Sequence, residues 1–560
     1  MRLQLISDDI HFYRGINVFY FQEGNMKKNR ALAYILSSVL AASTLAGCGS
    51  SGASTQATSD SGDSVTTEAA EAITSEESSA ASSTSTADNG ETVTIKMTYL
   101  TSGTAPEGLE RIQDALSEIT REKINCNVEL VPVSFSDQAT KYNMWFANGD
   151  NTDIIITVFL DYLSMINSGA IQPLDDLVAE YGKDLLAKDK DKQFLGAGEY
   201  QGKLYGIPTI PDAPGNGGAM YMRKDIYDTL DTSGLDADGD GYYDYEDMDN
   251  MFQQIYEKFP DYTTLGVAGN RTKSLYFYVR NYDNLGVSGE SSGVLVDPLN
   301  STKVENLYAT DQYKEYLEWM RKWYQAGYIS KDAPVSEESG EDLFEAGKTA
   351  TYIGMSTPGT REGAEVGLGS EVVELDLVPT YMTTNVYTGV LFFVPKNAQY
   401  PEKAVEFLNL LFNDAEVNNL LAEGQEGVDY DFSDKENGII KFRDDRTYVN
   451  TYGVWGDKSQ KYLEYPQTAD MRQKQADYLQ ESLDHTSLAN GYKFDASSVA
   501  TEQSTVKSVI SKYLTQLEYG TVDLDTVYPE FLDELDKAGI NTIIEENQKQ
   551  LDAWLADQSK

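Results

Sequence analysis

Cysteine and histidine are almost absent from this chain of 560 residues, which holds two of each. Cys48 and Cys126 stand in unlike settings, and neither a disulfide framework nor a thiolate metal site can be built from them. Cys126 falls in the apolar stretch Ile124 to Val133, where a buried, inert thiol is expected. His11 lies in the first 25 residues, and His485 sits in the polar context Asp484-His485-Thr486, which reads as a solvated loop. No Ser-His-Asp or Cys-His catalytic set and no zinc cluster follows from so few groups. Basic residues are scarce too, 44 against 90 acidic, for a formal net charge of −46. So acidic a surface repels a phosphate backbone and anionic lipid alike, which argues against nucleic-acid binding and against electrostatic docking to a membrane.

Long apolar runs are lacking except near the start. Ala31 to Ala46 is apolar or small, follows Lys27, Lys28 and Arg30, and leads into Leu45-Ala46-Gly47-Cys48. The run is shorter than the roughly 20 residues a membrane-crossing helix needs, so it reads as a cleaved leader. Its last four residues look like a bacterial lipobox, in which Cys48 takes a diacylglycerol and its freed amine a further chain; two or more acyl chains give stable anchoring. Residues 1–25 carry Asp8, Asp9 and Glu23 and fit no leader, so they read as an over-extended start, with 26–47 as the lipoprotein signal peptide. From Gly49 to Gly90 there is no aromatic residue, no lysine and no arginine. Residues 48–90 therefore read as the lipidated cysteine and a disordered tether spanning roughly 35 Å. The membrane is met only through this anchor.

The remainder, 91–560, is longer than one core normally supports, and two lobes are expected. Val93, Ile95, Met97 and Tyr99 alternate as in a strand over 92–100; Leu109, Ile112, Leu116 and Ile119 recur at helical spacing; Asp153 to Val158 is a short apolar run suited to a buried strand. This is an α/β pattern, and in such sheets ligands gather beyond the carboxyl ends of the strands, here the loops Leu100 to Pro106 and Phe159 to Leu163. Residues 91–210 form lobe 1 and 211–347 lobe 2, with a crossing near Tyr205 to Gly218; 348–560 supplies returning strands and C-terminal helices that complete both. Asp311 to Gly327 is the clearest helix, and its Trp319 and Trp323 are read as packing.

Ser168-Gly169-Ala170-Ile171-Gln172-Pro173-Leu174-Asp175, Gly202-Lys203-Leu204-Tyr205-Gly206-Ile207-Pro208 and Pro401-Glu402-Lys403-Ala404-Val405-Glu406-Phe407-Leu408 resemble family 1 extracellular solute-binding proteins of ABC importers. Gly424-Gln425-Glu426-Gly427-Val428-Asp429-Tyr430 and the stretch from Gly491 to Trp554 are similar to the LipO-type lipoprotein subgroup. The resemblance implies a two-lobed, periplasmic-binding-protein-like α/β fold with a hinge. It further implies a non-enzymatic, monomeric binder that captures a carbohydrate, expected to be an oligosaccharide, and passes it to the transmembrane subunits of an ABC permease.

The chain departs from the family pattern between Leu235 and Asp247. There Asp236, Asp238, Asp240, Asp244 and Asp247 occupy positions 1, 3, 5, 9 and 12 of a twelve-residue loop, with Gly241 at position 6 and the Tyr242 carbonyl at position 7. Oxygen ligands at this spacing surround a structural calcium ion, and aspartate at position 12 resembles the dockerin-type loop. A helix is expected from Met248 to Phe259. For the saccharide, flat aromatic faces beside polar groups are needed. The candidates at strand ends and in loops are Tyr99, Phe159, Asp161, Tyr162, Tyr387 and Trp455. Two other classes stay open at this level: a cell-surface glycoside hydrolase, because paired carboxylates need no histidine, and a surface adhesin, which fits the tether but poorly fits the α/β pattern.

Overall fold

The computed structural model describes residues 91–189, 194–267, 275–286, 289–336, 338–450 and 456–558. The leader, Cys48, the tether and Trp455 lie outside the described residues.

Alternation decides the first strand. Val93–Thr101 runs one residue later than its pattern suggests and buries Ile95, Met97 and Tyr99 completely. It pairs in parallel with Cys126–Ser134, from Val93 opposite Cys126 to Thr101 opposite Ser134. Helix Leu109–Ile124 joins them, burying Leu109, Ile112 and Leu116, and Asn125 ends it in the left-handed region at φ 50°. Asparagine tolerates that conformation better than most residues. A bridge between Met97 and Ile154 adds strand Ile155–Val158, all of it buried. Val390–Phe393 then lies antiparallel to both Ile155–Val158 and Gly206–Pro208. Cys126 is a free, buried thiol whose pKa burial pushes up to about 11.

A second sheet runs Val372–Tyr381, Asn216–Arg223, Thr349–Ser356, Thr263–Gly266, with Asn216–Arg223 antiparallel to the strands on both its sides and Thr263–Gly266 parallel to Thr349–Ser356. Helix Asp311–Ala326 packs Tyr313, Tyr316, Leu317, Met320 and Trp323 into the same core; the Thr310 hydroxyl caps its start and Gly327 at φ 85° stops it. Trp319 packs against this core as well. Helices Ala500–Glu518, Leu524–Ala538 and Ile540–Gln558 contribute Tyr513, Phe531 and Leu551.

The buried apolar residues thus fall into two large cores. One holds residues from 95 to 207 and from 382 to 448, the other residues from 220 to 377 and from 489 to 551. The chain passes between the cores three times, near 208–219, near 378–381 and through 449–488. Helix Met471–Asp484 belongs to the third passage and braces the other two: the Tyr478 hydroxyl accepts from the Gly217 amide at 3.1 Å, and the Ser482 and Thr380 hydroxyls are 2.9 Å apart. His485 closes this helix. It is only half-exposed, its carbonyl accepts from the Met382 amide, its ring packs on Tyr381 and Nδ1 lies 3.2 Å from the Thr380 carbonyl. The solvated-loop reading is corrected: this histidine is part of the connection between lobes.

Candidate ligand cleft and calcium loop

A cavity of about 140 Å³ lies beside the first crossing, lined by Asp212, by residues of 358–366 and by residues of 458–475. Its lobe-2 wall is helix Thr360–Leu368, whose Ala364 is buried with Ala219 and Tyr221 of the sheet. The opposite wall, 458–475, is held to lobe 1 by Asn418 and Asn419, whose side-chain amides donate to the carbonyls of Asp457 (3.0 Å) and Gln460 (2.8 Å). Asp212, Glu362, Tyr465, Gln467 and Arg472 are among the lining residues. Ion pairs order this region: Lys458 with Asp212 at 3.0 Å, Lys461 with Glu423 at 2.8 Å and, across the two walls, Lys474 with Glu362 at 3.4 Å. Burial would raise the Asp212 carboxyl, but the Lys458 ammonium outweighs it and holds the group below its ordinary range.

The lobes also meet near the carboxyl end of Ile155–Val158. Asp495 accepts from Asn167 and from the Tyr200 hydroxyl, each at 3.1 Å. Lys493 donates to the carbonyls of Gly196 (3.3 Å) and Glu199 (2.6 Å), and burial lowers its pKa to about 8.

The sequence-derived aromatic candidates divide sharply here. Phe159 stays 50 % exposed, at φ 48°, with its amide donating to the Gly389 carbonyl at 2.7 Å. Its ring covers Gly389, where an added Cβ would stand 2.9 Å from it. Asp161 is exposed beside it and accepts from the Leu163 amide at 3.1 Å. Tyr99, Tyr162 and Tyr387 are buried in the lobe-1 core. Tyr99 donates to the Val449 carbonyl at 2.9 Å and Tyr162 packs on Phe393. The reading of these three as open platforms is corrected: strand alternation turns Tyr99 inward, and Tyr162, at the start of helix Leu163–Asn167, and Tyr387, in a turn, are packed into the same core. Trp455 lies outside the described residues. Arg472, Tyr465 and Gln467 were missed, since no motif marks them and their neighbours across the cavity are distant in sequence.

The acidic loop is ordered around Asp236. Its Oδ1 accepts from the Gly241 amide at 3.2 Å, and carboxylate oxygens of Asp236, Asp238 and Asp240 lie within 4.8 Å of one another. The helix begins at Tyr245 and not at Met248, because Asp244 serves as its N-cap, accepting from the Asp247 amide at 2.9 Å. The Asp247 carboxylate accepts from the Asp236 and Asp244 amides; burial and then the Asp244 and Asp236 charges hold it above its ordinary range. An all-oxygen, carboxylate-rich set of this kind fits a hard divalent cation. The loop is tied to the segments that connect the lobes. The Tyr243 amide donates to the Asp376 carbonyl at 2.9 Å, and the Tyr242 hydroxyl to Glu481 at 3.3 Å, the same carboxylate oxygen that receives the Thr380 amide.

Among known proteins, a carbohydrate ABC transporter substrate-binding protein of Streptococcus pneumoniae serotype 4 (strain ATCC BAA-334 / TIGR4) is 26% identical over 476 residues, 83% of this chain and 92% of the relative. The structure resembles the N-glycan transport solute-binding protein NgtS of Streptococcus pneumoniae, with a TM-score of 0.72 at 23% identity, covering 83% of this chain and 99% of that one. It also resembles an EF-hand mutant of the S. pneumoniae ABC-transporter substrate-binding protein FusA in complex with fructo-nystose, with a TM-score of 0.57 at 16% identity, covering 83% and 100%. A domain of unknown function matches residues 488–556. The bacterial extracellular solute-binding protein family matches residues 114–427, more than half of the chain, and the protein belongs to that family.

Proposed function

We propose that the protein captures a carbohydrate outside the cell and delivers it to the transmembrane subunits of an ABC permease, anchored by acyl chains on Cys48 and extended on the 48–90 tether. The observation that carries this reading is the division of the chain into two separate cores joined by three crossings, with a cavity of mixed charged and aromatic lining beside the first of them. Hinged lobes of this kind close on a ligand. Relatives named for carbohydrate and N-glycan transport support a saccharide. The exposed Phe159 ring offers a face to sugar C–H groups, and Asp161 beside it offers acceptors to hydroxyls. The protein binds and hands over its ligand without changing it. Calorimetric titration against a panel of oligosaccharides is expected to give saturable binding with the sugars recovered intact, and small-angle scattering a smaller radius in the bound state. Shortened sugars would overturn the binding role, and an unchanged radius at saturation would overturn closure.

One calcium ion is assigned to the Asp236–Asp247 loop, held by Asp236, Asp238, Asp240, Asp244, Asp247 and the Tyr242 carbonyl. At about 1 mM calcium and a dissociation constant of roughly 0.1 mM, linkage gives about 1.4 kcal/mol of added stability. Scanning calorimetry should show a gain of a few degrees in Tm over EDTA that is lost in Asp236→Asn/Asp240→Asn. A Tm insensitive to calcium in the unsubstituted protein would remove the ion from the loop.

A further inference from the structure

We propose that the cavity at the first crossing seats a carboxylate borne by one end of the saccharide, with Arg472 as its anchor. This deepens, and rests on, the carbohydrate reading given above. In a chain with a net charge of −46, the cations around this cavity already have carboxylates: Lys458 has Asp212, Lys461 has Glu423, Lys474 has Glu362, and Arg361 meets Glu362 at 2.6 Å. Arg472 has none within ion-pair range among the described residues. Its guanidinium is half-buried and donates to two neutral acceptors, Gln475 Oε1 at 3.1 Å and the Lys461 carbonyl. These bonds fix the fork in place and leave N–H groups for a planar, two-oxygen partner, the geometry in which arginine recognises carboxylate.

Arg472 also stands in the first turn of helix Met471–Asp484, next to the N-cap residue Asp470, whose carboxylate makes no capping bond and pairs with Lys474 at 3.3 Å. A cation at the positive end of a helix is disfavoured, whereas an anion arriving there is welcomed by helix and guanidinium together. Burial already pulls the Arg472 pKa below its ordinary value, with Asp212 and Asp457 opposing the shift. The acids of the lining do not cancel this demand. Asp212 is held by Lys458 and Gln475, Glu464 lies 3.6 Å from Lys461, Glu362 is shared by Arg361 and Lys474, and Glu341 lines the lobe-2 side from helix Gly340–Glu345. At about 140 Å³ the cavity is smaller than the roughly 300–1,000 Å³ of a whole-ligand pocket, so it suits one terminal group. Tyr465, 57% exposed, offers the next sugar ring a face at the rim. The ligand class is a uronic-acid-type or sialic-acid-type oligosaccharide.

The test uses the full mature protein and a calorimetric panel of acidic oligosaccharides, each paired with its carboxyl-reduced neutral analogue. An acidic member should bind about 10- to 100-fold more tightly than its neutral partner, the range of a hydrogen bond to a charged group. Arg472→Gln should erase that difference while leaving the neutral analogue within about threefold, and Arg472→Lys should keep part of it. Neutral analogues that bind as tightly as acidic ones, or an equal loss for both in Arg472→Gln with an unchanged Tm, would overturn the anchor. An equal loss with a lowered Tm is resolved by Arg472→Lys, which overturns the anchor if it too shows no acidic preference. If no saccharide of either kind binds, the carbohydrate reading itself fails, and the anchor with it.

Discussion

Replacing Asp429 with alanine should cost about 3–5 kcal/mol of stability, the toll of leaving one member of a buried ion pair without its partner. Asp429 is fully buried, and both its oxygens lie 2.9 Å from Arg111 Nη2. It also accepts from the amides of Gln425 at 2.9 Å and Tyr448 at 3.3 Å. Arg111 reaches from helix Leu109–Ile124 to donate to Gln425 Oε1 at 2.6 Å as well, so one carboxylate ties three distant segments of lobe 1. Gly424 permits the arrangement: at φ 90°, a Cβ there would stand 2.3 Å from the Asp429 carboxylate. Denaturant titrations of Asp429→Ala, and of Asp429→Ala with Arg111→Met, check the claim. The second change should recover part of the loss by removing the stranded guanidinium. A single-variant cost under about 1 kcal/mol would rule out the pair as a main fastening.

A comparable loss, about 3 kcal/mol and at the upper end for overpacking, is expected for Gly218→Ala. Gly218 lies in the central strand Asn216–Arg223, opposite Met355 on one side and Val378 on the other. An added Cβ would stand 1.8 Å from the Tyr278 carbonyl oxygen, a backbone atom that cannot rotate aside. Gly363→Ala is the contrast. That glycine is inside helix Thr360–Leu368 with nothing within 4 Å of an added Cβ, so alanine should stabilise by up to about 1 kcal/mol. Thermal unfolding of the two variants should move in opposite directions. A Gly218→Ala protein as stable as its parent would mean that helix Tyr276–Val279 does not approach the strand as described.

Features settled by near neighbours were legible before the structure. Helix Asp311–Ala326 ends at Gly327 as its stripe suggested. Orientation was harder. The alternation that turns Met97 inward does the same to Tyr99 two residues on, and the partner of its hydroxyl, Val449, is 350 residues away. The acidic loop was found whole, yet its ties to Asp376 and Glu481 come from strands and helices much later in the chain. Asp429 appeared only as part of a family resemblance, without a physical role. Arg472 carried no signal at all, since what singles it out, the want of an ion-pair partner among the described residues, exists only once the chain is folded.

The place of Val390–Phe393 between Ile155–Val158 and Gly206–Pro208 sets an order of events during synthesis. A chain made from its N-terminus completes all four strands of the second sheet, up to Tyr381, before this strand has emerged. Until it arrives, two short, fully buried-to-be strands of lobe 1 are left with unpaired edges, the kind of surface on which chains join one another. Late closure of so long a loop is slow, so the exposed interval is prolonged. Mutual repulsion between nascent chains carrying a large excess of carboxylates keeps them apart through that interval. The acidity that argues against a nucleic-acid partner for the finished protein thus also guards its unfinished form.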